Sequence, residues 1–291
     1  MMPSSLPSVV PIPLLTSIAP LAAEATAAWL VDIWGVMHNG VSPFVPACEA
    51  CARFRQGGGL VVLLSNSPRP RDSVAAQLDG IGVPRDSWDV IVSSGDVARA
   101  LIAHYAGRPI VHLGPERDLG LFAGMDIERV APDRAAAVIC TGLFDDERET
   151  PDDYAATLAA CAARGLPMIC ANPDIAVERG GHLVYCAGAL ARAYEALGGK
   201  VDYAGKPYLP IYELAFSTLE ILRPGSADPA RLLAIGDGVH TDIAGAAGVN
   251  VPSVFVASGV HVKDGLDPAA LDALFPPGAP RPVAAMTALA W

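Results

Sequence analysis

Positive charge is scarce in this chain. Its 20 Lys and Arg stand against 31 Asp and Glu, a formal net charge of -11. Such a chain repels phosphate backbones, which argues against nucleic acid or anionic membrane as its main partner. One local cation can still reverse the field of an acidic cleft, so a small phosphorylated metabolite stays within reach. Long apolar runs are also lacking. None reaches the roughly 18–20 residues of a membrane span without charged or turn-forming residues. Residues 3–23 contain no Lys or Arg and are broken by Pro7, Pro11, Pro13 and Pro20. A secretory signal needs a positive start and an unbroken apolar stretch, so a soluble, cytoplasmic protein is predicted. Internal repeats and low-complexity tracts are absent. The six cysteines are scattered through apolar segments, and they read as reduced core thiols. Cys48-Glu49-Ala50-Cys51 has redox-motif spacing but no second ligand pair, so buried filler is favoured there over a redox or zinc site.

What the chain does have is apolar substance: 291 residues, 52% of them hydrophobic. That suffices for a full core with a second, smaller domain. Thr16 to Ala28 reads as a short Ala-rich helix leading into the strand Trp29-Leu30-Val31-Asp32. Pro46 to Gln56 reads as a helix stopped by Gly57-Gly58-Gly59, and Leu60 to Leu64 as a strand ending in Ser65-Asn66-Ser67-Pro68. A helix from Arg69, a strand at Val90-Ile91-Val92 and a helix from Asp96 follow. This alternation predicts a doubly wound, Rossmann-like parallel sheet. Near Gly107 the apolar runs shorten, at Ile110 to Leu113, Ala137 to Cys140, Met168 to Cys170 and Leu183 to Cys186. Helices are expected from Pro151, behind a Thr150/Asp153 capping box, and from Gly188 to Leu197. Residues 107–199 are therefore expected to form an inserted α/β domain, with 1–106 and 200–291 making the core. Beyond it a helix opens near Gly205-Lys206-Pro207 and runs to Leu222. Arg231 to Ile235 and Val251 to Ala257 are the remaining core strands. The proline-rich tail from Pro276 is expected to wrap the surface.

Four strand-end signals carry the chemistry. Asp32 ends an apolar run, where α/β sheets keep nucleophiles and metal ligands, although a strand-end Asp also caps turns. Ser65 and Asn66 are equally well read as turn formers. Lys206 could be a solvated surface lysine. Gly236-Asp237-Gly238-Val239-His240-Thr241-Asp242 is sharper, with two carboxylates around a glycine turn after a buried strand. If Asp32, Asp237 and Asp242 converge, each like-charged pair 4–6 Å apart costs roughly 1–4 kcal/mol. A divalent cation relieves this, and an all-oxygen donor set with room for water points to Mg²⁺. Asp32 would then attack a phosphoryl group whose oxygens Ser65, Asn66 and Lys206 hold.

As an ordered set, Asp32-Ile-Trp-Gly-Val, Ser65-Asn-Ser, Gly205-Lys206-Pro207 and Gly236-Asp-Gly-Val-His-Thr-Asp242 resembles the haloacid dehalogenase superfamily of aspartyl-nucleophile hydrolases. The insert, with Ala171-Asn172-Pro173-Asp174, is similar to the class IIA cap of the nitrophenylphosphatase and pyridoxal-phosphate phosphatase branch. The resemblance implies Asp32 as nucleophile and metal ligand, Asp237 as a second ligand, and the Trp34 backbone carbonyl as a third. It implies that Asp242 holds the metal's water shell or orients Lys206. Asn172, Pro173 and Asp174 would face the leaving group from the cap. It also leaves room for a homodimer with contacts near the cap.

One position departs from the pattern. Phosphatases of this superfamily carry a second Asp two residues after the nucleophile, as acid and base. Here that residue is Trp34, whose indole donates a hydrogen bond but exchanges no proton. Three readings follow. The first is a Mg²⁺-dependent phosphohydrolase acting on a small phosphorylated metabolite, slow or using another acid such as His38. The second is a metal-independent carbon–halogen hydrolase, to which an aromatic at this position points and against which Asp237 and Asp242 argue. The third is a phospho-ligand sensor that has lost turnover. The first is the expectation.

Overall fold

The computed structural model describes residues 11–22, 26–179, 182–257 and 266–291. Twelve strands are described: β1 Ala28–Asp32, β2 Leu60–Ser65, β3 Val90–Ser93, β4 Ile110–Leu113, β5 Ala137–Cys140, β6 Pro167–Cys170, β7 Ala176–Arg179, β8 His182–Tyr185, β9 Lys200–Tyr203, β10 Leu232–Gly236, β11 Ser253–Val256 and β12 Ala284–Met286. The helices are α1 Val45–Gln56, α2 Arg71–Ile81, α3 Ser94–Ile102, α4 Ala155–Ala163, α5 Ala187–Ala196, α6 Leu209–Leu222, α7 Ala244–Gly248 and α8 Pro268–Leu274. None of the described helices is long and apolar enough to cross a membrane.

The larger sheet has the order β12-β11-β10-β1-β2-β3, and every pairing in it is parallel. Its strands are apolar on both faces because both faces are covered. Along β1, Trp29 and Val31 join one apolar cluster with Ala47, Cys51 and Phe54 of α1. Ala28 and Leu30 join another with Ile211, Tyr212, Ala215 and Leu219 of α6. This period of two, apolar at every step, is how a strand buried on both sides is written. Trp29 stacks on Phe54 at 4.0 Å between ring centroids. From β1 the chain adds β2 and β3 on one side, and the returning segment adds β10, β11 and β12 on the other. β1 and β10 therefore flank the point where the winding reverses. The crevice beyond their carboxyl ends is where such sheets hold ligands.

A second parallel sheet, β4-β5-β6-β9, is built by the inserted segment, together with the antiparallel hairpin β7-β8. One of its faces packs under α4 and α5 through Val138, Cys140, Leu158 and Leu190. The other, through Ile139 and Ile169, shares an apolar cluster with Val97 and Ile102 of α3. The expected boundary at 199/200 falls just before β9, which pairs with β6 and so extends the smaller sheet to Tyr203.

Several expectations need correction. No helix spans 16–28. Only Ala19–Leu21 forms a short 3-10 turn, with Pro20 in its first turn, while Ala28 is drawn into β1; residues 23–25 of that stretch lie outside the described residues. The tail does more than wrap the surface: Ala284–Met286 pairs with β11 as a buried edge strand, and Leu289 is buried behind it. All six cysteines are buried and free, Cys48 and Cys51 within α1. The Thr150/Asp153 capping box is present, although the first turn behind it, Pro151–Tyr154, is 3-10.

Candidate active site

Each acidic motif sits where its strand ends. Asp32 closes β1, and Asp237 follows β10 immediately. Asp242 lies in the turn Val239–Ile243, which opens α7. One ligand oxygen from each of Asp32, Asp237 and Asp242 lies within 4.8 Å of the others. The backbone is shaped to permit this. Gly35 has φ +86°, and a Cβ there would lie 2.2 Å from Asp237 Oδ2. Only glycine accepts both the dihedral and that approach.

Lys206 enters from the loop between β9 and α6 and is buried, at 2% exposure. Its Nζ donates to Asp32 Oδ1 at 2.5 Å, to Asp242 Oδ1 at 2.7 Å and to the Leu64 carbonyl at 2.9 Å. All three ammonium protons are thus spent. Burial opposes the charge on Lys206, but Asp242 and Asp32 outweigh it and hold the ammonium above the usual lysine range. Burial pushes the Asp32 carboxyl up; Lys206 pulls it back, and Asp242 and Asp237 push it further. Three carboxylates against one ammonium leave a surplus of negative charge that a divalent cation would neutralise. The set offers only oxygen donors, which fits Mg²⁺ or Ca²⁺ better than a softer metal. Removing the ammonium strands two buried carboxylates. Lys206→Met is expected to cost about 3–5 kcal/mol of stability in EDTA, read by urea unfolding, with part of the loss recovered when divalent metal is added.

Asn66 behaves differently from its expected part as a phosphoryl ligand. Its Oδ1 accepts the Lys206 backbone N–H at 2.7 Å, and its Nδ2 donates to the Lys206 carbonyl at 3.1 Å and to Asp174 Oδ1 at 2.8 Å. The side-chain amide is a clamp, which leaves its backbone N–H for any ligand. Ser65 Oγ accepts from Ser67 N–H at 3.1 Å and keeps its own proton to donate. Asp174 is half-buried, and desolvation raises its carboxyl against the Asn66 hydrogen bond. Asn172 accepts the Asp174 N–H at 3.1 Å in a local turn.

A cavity of about 240 Å³ opens over these groups, lined by Asp32, Trp34, Ser65, Asn66, Asn172, Asp174, Lys206, Asp237 and Asp242. Pro173 does not line it. Its carbonyl oxygen lies 2.2 Å from where a Cβ on Gly188 would stand, and its ring 2.8 Å from one on Gly205. That proline fixes the loop against α5 rather than meeting a ligand. The Trp34 ring is half-buried at the cavity wall, edge-on to His38 at 5.3 Å. His38 Nδ1 accepts the Gly40 N–H at 2.8 Å, and burial lowers its pKa to about 4. A ring that is neutral at pH 7 keeps only a weakly acidic Nε2–H, which argues against His38 as the replacement acid. Reading along the chain missed Arg69, Arg117 and Arg179, which also line the cavity. They lie on loops and a hairpin, where charge carries no periodic signal.

Profile matches place residues 29–128 with "Haloacid dehalogenase-like hydrolase" and residues 203–284 with "HAD-hydrolase-like". A hydrolase of the haloacid dehalogenase-like family from Brucella suis is 45% identical, with a TM-score of 0.83 over 94% of this chain and 98% of that one. The D-glycerol 3-phosphate phosphatase of Mycobacterium tuberculosis is 29% identical over 80% of this chain. The match spans only 63% of that relative's length. A glycerol phosphate phosphatase structure from the same organism, in complex with calcium, shares the fold at 23% identity and a TM-score of 0.65, over 90% of this chain and 73% of that one.

Proposed function

The chain belongs to the haloacid dehalogenase-like hydrolases, and from that membership we propose that it is a Mg²⁺-dependent phosphomonoesterase for a small phosphorylated metabolite. The observation that carries this reading is the buried Lys206, which bonds Asp32 and Asp242 within a carboxylate cluster that includes Asp237. A phosphatase relative and a calcium-bound fold neighbour support it. In this reading 1–106 and the segment after β9 are the core, and the insert is a class IIA cap. The protein acts in the cytoplasm and takes neither nucleic acid nor membrane as partner.

Asp32, Asp237 and the Trp34 carbonyl would hold the metal, and Asp242 its water shell. Bound there, Mg²⁺ supplies charge neutralisation for the phosphoryl oxygens. Lys206 fixes the Asp32 carboxylate against Leu64 and Asp242, so the nucleophile is oriented before substrate arrives. A carboxylate oxygen of Asp32 forms its bond to phosphorus as the ester P–O bond breaks. Ser65 Oγ–H and the Asn66 backbone N–H donate to the phosphoryl oxygens. With Trp34 at the acid's position, the leaving oxygen takes its proton from solvent. Water then hydrolyses the aspartyl phosphate, freeing inorganic phosphate and restoring Asp32.

A panel of phosphate esters headed by p-nitrophenyl phosphate tests this reading. Turnover is expected with Mg²⁺ and is expected to vanish in EDTA. Chloroacetate turnover in EDTA would replace the proposal with a dehalogenase, and binding of phosphate without turnover of any ester would replace it with a sensor. The ammonium and three carboxylates already favour the phosphatase, since a halide-releasing site has no use for a surplus of buried negative charge.

A further inference from the structure

The cavity has a second charged pole, in which three guanidiniums stand among the carboxylates of Asp118, Asp146 and Glu178. Arg69 comes from the loop after β2, Arg117 from the turn after β4 and Arg179 from the end of β7, and all three line the same cavity as Asp32. Burial disfavours the charge on Arg69 most, Asp118 favours it, and Arg117 and Arg179 are close enough to disfavour it as well. Their partners do not match them one for one. Asp146 serves two guanidiniums: Arg179 reaches its two oxygens at 3.3 and 2.9 Å, and Arg117 bonds it as well. Arg69 gives its short hydrogen bond, 2.7 Å, to the neutral Gln77. Its nearest carboxylate oxygen, on the buried Asp118, is 4.0 Å away. Burial raises the Asp118 carboxyl, and Arg117 and Arg69 pull it back. Glu178 also lines the cavity, and of the three guanidiniums Arg69 is the one with no carboxylate within hydrogen-bond distance.

Stability does not account for this gathering. Partly exposed ion pairs contribute about 0–1 kcal/mol each, and Arg69 has two further guanidiniums near it with its own carboxylate no closer than 4.0 Å. Guanidiniums held with spare donors in a shared concavity are an anion receptor, since the planar fork matches a carboxylate or phosphoryl group in two bonds. A cavity of about 240 Å³ lies below the roughly 300–1,000 Å³ that accommodates a drug-sized ligand, so the ligand is small, and both poles line the one cavity it would enter.

We propose that Arg69 and Arg117 receive a second anionic group of the substrate, which makes the preferred substrates small phosphomonoesters bearing a carboxylate or a second phosphoryl group. The proposal rests on the phosphatase reading for the bond that is cut, but its binding test does not need turnover. Dissociation constants of the whole protein with Mg²⁺ are measured for phosphonobutyrate, butylene bisphosphonate and butylphosphonate, which share a chain and differ in the second group. At least one of the two doubly anionic compounds is expected to bind about tenfold or more tighter than butylphosphonate. Whichever binds tighter identifies the second group as carboxylate or phosphoryl. In Arg69→Gln and in Arg117→Gln that ratio is expected to fall toward one. Equal affinities in the unmodified protein overturn the proposal, as does a ratio that survives both substitutions. Selective binding without hydrolysis of any ester would overturn the phosphatase reading and leave the second pole standing. Hydrolysis with no such selectivity would do the reverse.

Discussion

Asp32→Asn is expected to lower kcat on p-nitrophenyl phosphate by about 10⁴–10⁶, the scale on which removing a nucleophile acts. The substitution keeps shape and one acceptor oxygen, so the Lys206 bond to position 32 at 2.5 Å can persist as a bond to the amide oxygen. It also removes one negative charge from a buried cluster that holds three carboxylates and one ammonium. The fold is therefore expected to survive, and stability in EDTA to hold or rise. Steady-state kinetics with Mg²⁺ read the loss. A thermal-shift titration with phosphate and Mg²⁺ shows that the pocket still binds. Residual turnover within tenfold of the unsubstituted chain would exclude Asp32 as the attacking group, and with it the covalent step. The effect is expected to exceed that of Asp237→Asn, because a weakened metal site can be refilled by raising Mg²⁺ whereas a missing nucleophile cannot.

Asp32, Ser65 and Asp237 were legible because each ends a strand whose every residue is apolar and buried, and such runs stop at the sheet's carboxyl edge. β12 escaped because three residues, Ala284–Met286, carry no period. β7 escaped for another reason: all four of its residues are half-buried, so neither face stands out as apolar. At Ala28 tertiary structure overrides propensity, since alanine favours helix and the sheet claims it as the first residue of β1. At Asn66 the residue was legible but its task was not. Its partner, the Lys206 backbone, is 140 positions away along the chain, and no local pattern encodes that distance. The arginine pole was hidden in the same way, because three segments contribute one guanidinium each.

Trp34 sets the second large effect. The indole stands at the cavity wall over Gly40, whose φ is +89° and where a Cβ would lie 2.6 Å from the ring. Ring and glycine therefore specify each other, and the loop is built around an aromatic rather than around a missing acid. General acid help is worth about 10²–10⁴ in rate, and most of it is needed when the leaving oxygen is a poor one. Aryl phosphates, which leave without a proton, are expected to exceed alkyl phosphates in kcat/KM by at least about 10². Trp34→Asp should narrow that gap by raising the alkyl rate, with little change for aryl esters, because the smaller side chain opens the space above Gly40 and places a carboxyl there. Equal aryl and alkyl rates in the unsubstituted chain would mean that an acid already exists. Asp174, half-buried, raised by desolvation and lining the same cavity, would then be the group to substitute next. A fall in the alkyl rate of Trp34→Asp would instead show that the indole packs the substrate. In that case the aromatic would be part of how the site selects its ligand, and the lost acid would be the cost of that selection.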